Sequence, residues 1–195
     1  AFYIYSPKTD FFTEYTYSPT RGGPATANTI DAVTHAFVLG AQGNLLTKAS
    51  GSVRIGYVTK QYDNPNFSSQ GGLSLETGID WKLNQKTSTR LNLNRAFQPS
   101  PQDQSILSTS LGLALNHRLN EKMNAEIHAS WSKSAYTKAL TSDRNMDMFT
   151  IGAFLRKNLS QHFDVGGGYD FSTASQSVGG DFDRHILYVD VNGRY

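Results

Sequence analysis

Leu73-Ser74-Leu75-Glu76-Thr77-Gly78-Ile79-Asp80-Trp81-Lys82-Leu83 decides how this chain folds. Odd positions are apolar or Thr, and even positions are polar or Gly. Alternation with period 2 puts the two sets on opposite faces of an extended strand. After the turn Asn84-Gln85-Lys86, Thr89, Leu91, Leu93 and Phe97 alternate with Arg90, Asn92, Asn94 and Ala96. After a polar loop from Gln98 to Ser105, Leu107, Thr109, Leu111, Leu113 and Leu115 alternate with Ser108, Ser110, Gly112, Ala114 and Asn116. Each run is about ten residues or more, the length a tilted strand needs to cross a bilayer. The stretch from Leu73 to Leu119 therefore reads as part of an antiparallel, up-and-down transmembrane β-barrel.

The same pattern continues on both sides. Phe2 to Ser6 reads as a short strand, and Phe11, Thr13, Tyr15 and Tyr17 oppose Phe12, Glu14 and Thr16 on the next. His35, Phe37 and Leu39 share a face, as do Val53, Ile55 and Tyr57. Downstream, Met123 to Trp131, Phe149 to Leu155, Phe163 to Phe171 and His185 to Tyr195 each alternate in the same way. The connections alternate too. Pro7–Asp10, Gln42–Lys48, Asn84–Lys86, Asn120–Lys122 and Asn158–Gln161 are short, and Pro19–Asn28, Tyr62–Gln70, Gln98–Ser105, Thr137–Asn145 and Thr173–Asp183 are long. Short periplasmic turns and longer extracellular loops mark outer-membrane barrels. The reading gives eleven strands, the first incomplete. Bacterial single-chain barrels usually have an even number, and an open edge cannot face hydrocarbon. The expectation is the C-terminal portion of a larger barrel of about 16–18 strands, with strands missing before Ala1. A twelve-stranded barrel is the alternative.

Composition agrees with one barrel domain of 195 residues. Hydrophobic content is 38% and mean hydropathy −0.44, with no run of 18 apolar residues, which argues against a helical membrane protein. Tyr and Phe number 10 and 11, which suits strands and interfacial girdles. Girdle residues expected to face outward are Tyr15, Tyr17, Tyr57, Trp81, Phe97, Trp131, Phe149, Phe163, Tyr169, Phe171 and Tyr195. The net charge is only +2 with no basic stripe, so nucleic acid is not a partner. There is no Cys, hence no disulfide, thiolate metal site or Cys nucleophile.

The polar face supplies the candidate lumen lining: Arg54, Lys60, Glu76, Asp80, Lys82, Arg90, Asn92, Asn94, Asn116, Arg118, Glu126, His128, Arg156, Asp164, Asp170, Asp190 and Arg194. Charges there meet water, whereas Arg or Lys facing lipid at the midplane costs about 2–4 kcal/mol. Asn, Asp and Arg suit hydrogen bonds to sugar hydroxyls, although any barrel interior is polar and paired. His35, His117 and His185 fall on the apolar face and read as interfacial. His128 lies near Glu126 and Ser130, but i, i+2 neighbours on a strand do not make a triad. No metal-ligand spacing stands out, and neither an enzyme nor a cofactor is expected. Gly166-Gly167-Gly168 lies mid-strand with no helix after it, which argues against a phosphate loop and for relief of crowding.

The end of the chain carries the most specific local signal. Leu187, Val189, Val191 and Tyr195 share one register and resemble the C-terminal signal that the barrel-assembly machinery reads. More broadly, Ser6-Pro7-Lys8-Thr9-Asp10 leading into Glu14-Tyr15-Thr16-Tyr17, Gly51-Ser52-Val53-Arg54-Ile55-Gly56-Tyr57, and Leu111-Gly112-Leu113-Ala114-Leu115 before its turn carry a family resemblance. On these phrases the chain resembles the outer-membrane β-barrel porins that accompany exopolysaccharide and capsule biosynthesis. The resemblance implies a role in polysaccharide export, with the lipid bilayer, the assembly machinery and periplasmic export components as partners. It transfers no catalytic residue. The expected function is an outer-membrane channel for polysaccharide export or a porin. The alternative is a non-conducting structural or adhesion barrel whose loops bind a partner.

Overall fold

Alternating sequences pair side by side because each strand leaves its backbone N–H and C=O groups to a neighbour. The computed structural model describes residues 2–6, 8–21, 31–63, 69–99, 105–137, 144–177 and 179–193. Its strands are β1 (Phe2–Ser6), β2 (Thr9–Thr20), β3 (Ala32–Leu46), β4 (Ala49–Tyr62), β5 (Gln70–Lys82) and β6 (Thr87–Pro99). β7 (Ser105–Arg118), β8 (Met123–Thr137), β9 (Arg144–Asn158), β10 (Phe163–Gln176) and β11 (Phe182–Gly193) complete them. All eleven form one antiparallel sheet in chain order, and among the described residues β1 does not pair with β11. No helix occurs among the described residues.

The short connections are 7–8, 47–48, 83–86, 119–122 and 159–162, and the long ones are 21–31, 63–69, 100–104, 138–143 and 177–181. The expected alternation holds, but the strands reach further than expected. Gln42 to Asn44 belong to β3, and only 47–48 turn. Gly43, at φ 114°, lets β3 run on, since a Cβ there would strike the Lys8 carbonyl. Thr173 to Gln176 likewise extend β10.

The register is uniform. Within the body of every ladder, odd residues pair with odd and even with even, as in Arg54↔Glu76, Leu93↔Leu111, Trp131↔Phe149 and Tyr169↔Leu187. Irregularities fall only near short turns, between Ile4 and Ser6 and between Asn44 and Leu46. One face is therefore odd-numbered and the other even-numbered throughout.

The pairings also slide. The row that starts at Thr9, the foot of β2, passes through Gly43, Gly51, Ile79, Leu91, Leu113, Ala129 and Ile151 to Phe171. Phe171 stands eight residues above Phe163, the foot of β10, and β10 is eight strands from β2. One residue of slip per strand, at about 3.3 Å rise and about 4.8 Å strand spacing, is a tilt of about 35°. That is the tilt of transmembrane barrels.

The odd face is the apolar one. Tyr15, Tyr17, Tyr57, Trp81, Trp131, Phe149, Phe163 and Tyr169 are exposed on it, and Phe171 shares it. Phe97 and Tyr195 from the expected girdle lie outside the described side chains. Strand charges on this face, Arg95, Lys133, Asp147, Lys157 and Asp183, keep toward strand ends. On β8 the apolar set runs from Met123 to Trp131 below Lys133. At the rise and tilt above that is about 22 Å of height, close to the apolar band of about 25 Å in outer-membrane barrels.

Candidate functional site: a polar face organised by glycine gaps

Sixteen of the seventeen candidate lining residues fall on the even-numbered face, and Arg194 lies outside the described residues. The face sorts them into clusters by one local rule. Side chains two strands apart stand about 9–10 Å from each other at the backbone. They meet only where the strand between them carries Gly.

Phe12 and Arg54 meet across Gly40, whose missing Cβ leaves room for the Phe12 ring. The Arg54 guanidinium lies 5.4 Å from the centre of that ring. It donates from Nη2 to Glu14 Oε2 at 2.7 Å and stands 3.5 Å by Nε from Glu76 Oε2. His128 and Asp170 meet across Gly152, with Nε2 3.1 Å from Asp170 Oδ1 and Nδ1 3.6 Å from Glu126 Oε1. Two carboxylates thus flank the imidazole. No hydroxyl is hydrogen-bonded to it among the described residues, and Ser130 is not brought to it.

The Gly166-Gly167-Gly168 run explains the third cluster. Gly167 faces outward, while Gly166 and Gly168 face the polar side. Arg156 and Asp190 meet over Gly166, and Phe154 and Tyr188 meet across Gly168. Arg156 donates from Nη2 to Asp190 Oδ2 at 2.8 Å and lies 3.5 Å by Nε from Asp164 Oδ1. Asn192 donates to both carboxylates, at 3.0 and 2.8 Å. The Phe154 and Tyr188 rings stack with centres 5.8 Å apart and planes 11° from parallel, and Arg156 sits 5.1 Å over Phe154. The glycines are there for close approach of side chains.

Asp80 and Arg90 pair directly, at 2.7 Å, on adjacent strands. Lys60 lies 5.0 Å over the Tyr62 ring. Lys82, Asn92, Asn94 and Asn116 join none of these clusters among the described residues, and Arg118 donates only to the Gln85 carbonyl, at 3.3 Å. Sequence reasoning missed Phe12, Glu14, Asn124, Phe154, Tyr188 and Asn192 as members of this site. For Phe12, Phe154 and Tyr188 the signal was the even-numbered glycine paired with them on the neighbouring strand.

The outward histidines take another course. His35 and His185 each accept or donate a hydrogen bond with a Tyr hydroxyl, Tyr15 at 2.8 Å and Tyr169 at 2.6 Å. His117 does the same with Thr87 at 2.9 Å. They belong to the apolar face, away from the clusters.

Two hollows open on the polar face near the short turns. One, of about 590 Å³, is lined by Asn116, Asn124, Glu126, Phe154, Arg156, Tyr188 and Asp190. Strands β7 and β11 both reach it, so the face curves inward there. The other, of about 400 Å³, has Lys82, Lys86, Ser88 and Arg118 in its wall and shares Asn116 and Asn124 with the first.

Asp164 is 4% exposed, so its charge leans on Arg156 and Asn192. Breaking a fully buried pair costs about 3–5 kcal/mol. Arg156 is 40% exposed, so Arg156→Met is expected to cost about 1–2 kcal/mol after allowance for solvent screening. Guanidinium unfolding followed by tryptophan fluorescence would read it. A change within error would show that the carboxylate's other partners, Asn192 among them, satisfy it.

The comparison that decides the family spans the whole chain: the family described as Putative beta-barrel porin 2 matches residues 1–195. The chain belongs to that family. As a member of this porin family it is an outer-membrane β-barrel protein, and the two-faced sheet is the barrel wall. No curated protein matches the sequence. Among solved structures, a loop L8 deletion mutant of OmpT, an outer membrane protein of Vibrio cholerae, aligns with a TM-score of 0.46. The alignment covers 95% of this chain and 76% of that one, at 7% identity.

Proposed function

We propose that this chain builds the wall of a water-filled channel in the bacterial outer membrane, serving export of an extracellular polysaccharide or acting as a porin. The observation that carries the reading is the even-numbered face. It is predominantly polar from β4 to β8 and on β10, with Arg54, Glu76, Asp80, Arg90, Glu126, Arg156 and Asp190 on one side of a sheet whose other side is apolar. A wall of that kind separates lipid from water. Lys60, Lys82, Asn92, Asn94, Asn116, Arg118, His128, Asp164, Asp170 and Arg194 complete the proposed lining.

An open edge has no place in hydrocarbon, so the eleven strands are read as an arc of a wider barrel. About 16–18 strands would leave an aqueous channel, and about eight would be filled by side chains. Leu187, Val189 and Val191, all outward on β11, with Tyr195, are the proposed signal to the assembly machinery. Periplasmic export components are the proposed partners. The ion pairs that close parts of the polar face on themselves favour the second reading, a non-conducting barrel whose loops bind a partner.

Single-channel recording in a planar bilayer tests the choice. Steady conductance, reduced by added oligosaccharide, is the expected result. Conductance without any oligosaccharide effect would leave a porin and remove polysaccharide export. Silent insertion would overturn the channel and leave the structural barrel.

A further inference from the structure

The short turns repeat a residue. Lys8, Lys48, Lys86 and Lys122 each stand last in their turn, directly before a rising strand, and His162 holds the same place in the fifth. Their backbones are equivalent as well. The carbonyls of Lys8, Lys48, Lys86 and Lys122 accept hydrogen bonds from the N–H groups of Asn44, Lys82, Arg118 and Asn158, at 2.7, 2.9, 2.8 and 2.8 Å. Each bond ties one hairpin's turn to the foot of the next hairpin. The hairpins are two strands apart, so the lysines recur about every 10 Å along one rim.

Two of the tied residues are themselves cations. Lys48, Lys82, Lys86, Arg118 and Lys122 therefore follow one another along the rim. Elsewhere on the polar face Arg54, Arg90 and Arg156 are each paired with a carboxylate. These five are not: among the described residues none lies within ion-pair distance of an acid, and Glu121 is the one carboxylate in their turns. Paired cations satisfy the wall, whereas an unpaired row projects a positive potential toward whatever approaches that mouth. Rings of Lys and Arg are how pores favour anions.

The row leads into the site. Lys82, Lys86 and Arg118 line the smaller hollow, which shares Asn116 and Asn124 with the larger one. The larger one offers the Phe154–Tyr188 stack, Asp190 and Glu126. An aromatic surface packs against the C–H face of a sugar ring, while amides and carboxylates bond its hydroxyls. Cations next to such a surface suit a sugar that carries its own negative charge.

We propose that the short-turn mouth is a binding station for acidic carbohydrate, with Lys82, Lys86 and Arg118 holding its carboxylates or other anionic groups and Phe154 and Tyr188 packing against the rings. This deepens the channel reading and rests on it for the path the sugar then takes.

Isothermal titration calorimetry of the full chain in detergent tests the station without requiring current. The probes are an oligogalacturonate and a malto-oligosaccharide of equal length. The acidic probe should bind about tenfold tighter at low salt, and about 0.5 M salt should remove most of the difference. Lys82→Gln/Lys86→Gln/Arg118→Gln should bring the two affinities together. Lys86→Glu, one change in an exposed turn, should act in the same direction with no demand on folding. Lys133→Gln, on the odd-numbered face toward the opposite strand end, should leave the preference intact. Equal affinities, no binding of the acidic probe, or a preference that survives the triple change would each overturn the proposal. So would a triple variant that alters only the anionic phospholipid retained on purification, read by mass spectrometry, since the row would then be a headgroup contact. Preference with no conductance would keep the station and remove the channel, and conductance with no preference would do the reverse.

Discussion

Leu113→Arg should lower the stability of the folded barrel by about 2–4 kcal/mol, the largest single-site loss expected on this chain. Leu113 lies on the odd face, 50% exposed, between Leu111 and Leu115 on β7. Leu91 and Ala129 are its cross-strand neighbours. Nothing polar is nearby on that face, and a guanidinium there would have to leave water for hydrocarbon. Ser130→Arg puts the same charge on the other face, beside Gly112, where an added atom meets nothing within 4 Å. Its expected effect is within about 0.5 kcal/mol, as for an ordinary solvated substitution. Guanidinium titration of both variants in lipid vesicles measures the difference. Equal losses would mean that the odd face does not meet lipid.

Gly166→Val should cost about 2–3 kcal/mol, in the range of overpacked cores. The added Cβ would fall on Asp190 Oδ1 and on the Phe154 ring tip. Both would have to withdraw, loosening the Arg156–Asp190 pair and the aromatic stack together. Gly112→Val makes the same chemical change on the same face with nothing in its way. There the gain of a β-branched residue in a strand should stabilise by about 0.5–1 kcal/mol. The opposite signs are the test, read by the same titration. Two losses of equal size would mean that the cost comes from the strand backbone rather than from the side chains over Gly166.

The fold was legible because apolar and polar residues alternate along most strands, so Leu73 to Leu115 announced both the strands and their faces. The strand ends were less so. Gln42, Gly43 and Asn44 carry turn chemistry, yet Gly43 adopts its positive φ inside β3, and the chain turns only after Leu46. Face assignment recovered the position of each candidate residue from Arg54 to Asp190. It could not recover their grouping, because Arg156 finds Asp190 through a glycine that belongs to a third strand. Phe12, Phe154 and Tyr188 were passed over because an aromatic on the polar face breaks the alternation rule, and only the gaps at Gly40, Gly166 and Gly168 show why they fit. The rim lysines were visible as residues. Their equivalence became clear from the carbonyls of Lys48, Lys86 and Lys122 doing the same work in successive hairpins.

The odd-with-odd pairing of every ladder constrains how this sequence can change length over generations. One residue lost from the middle of β7 would carry the rest of that strand to the opposite parity, presenting Asn116 to lipid and Leu115 to water. Insertions and deletions within strands are therefore tolerable only in twos, or where a bulge absorbs them as at Asn44 and Leu46. Among relatives of this chain, gaps should gather in the long connections such as 63–69 and 138–143, and the spacing from one polar-face glycine to the next should change by even numbers.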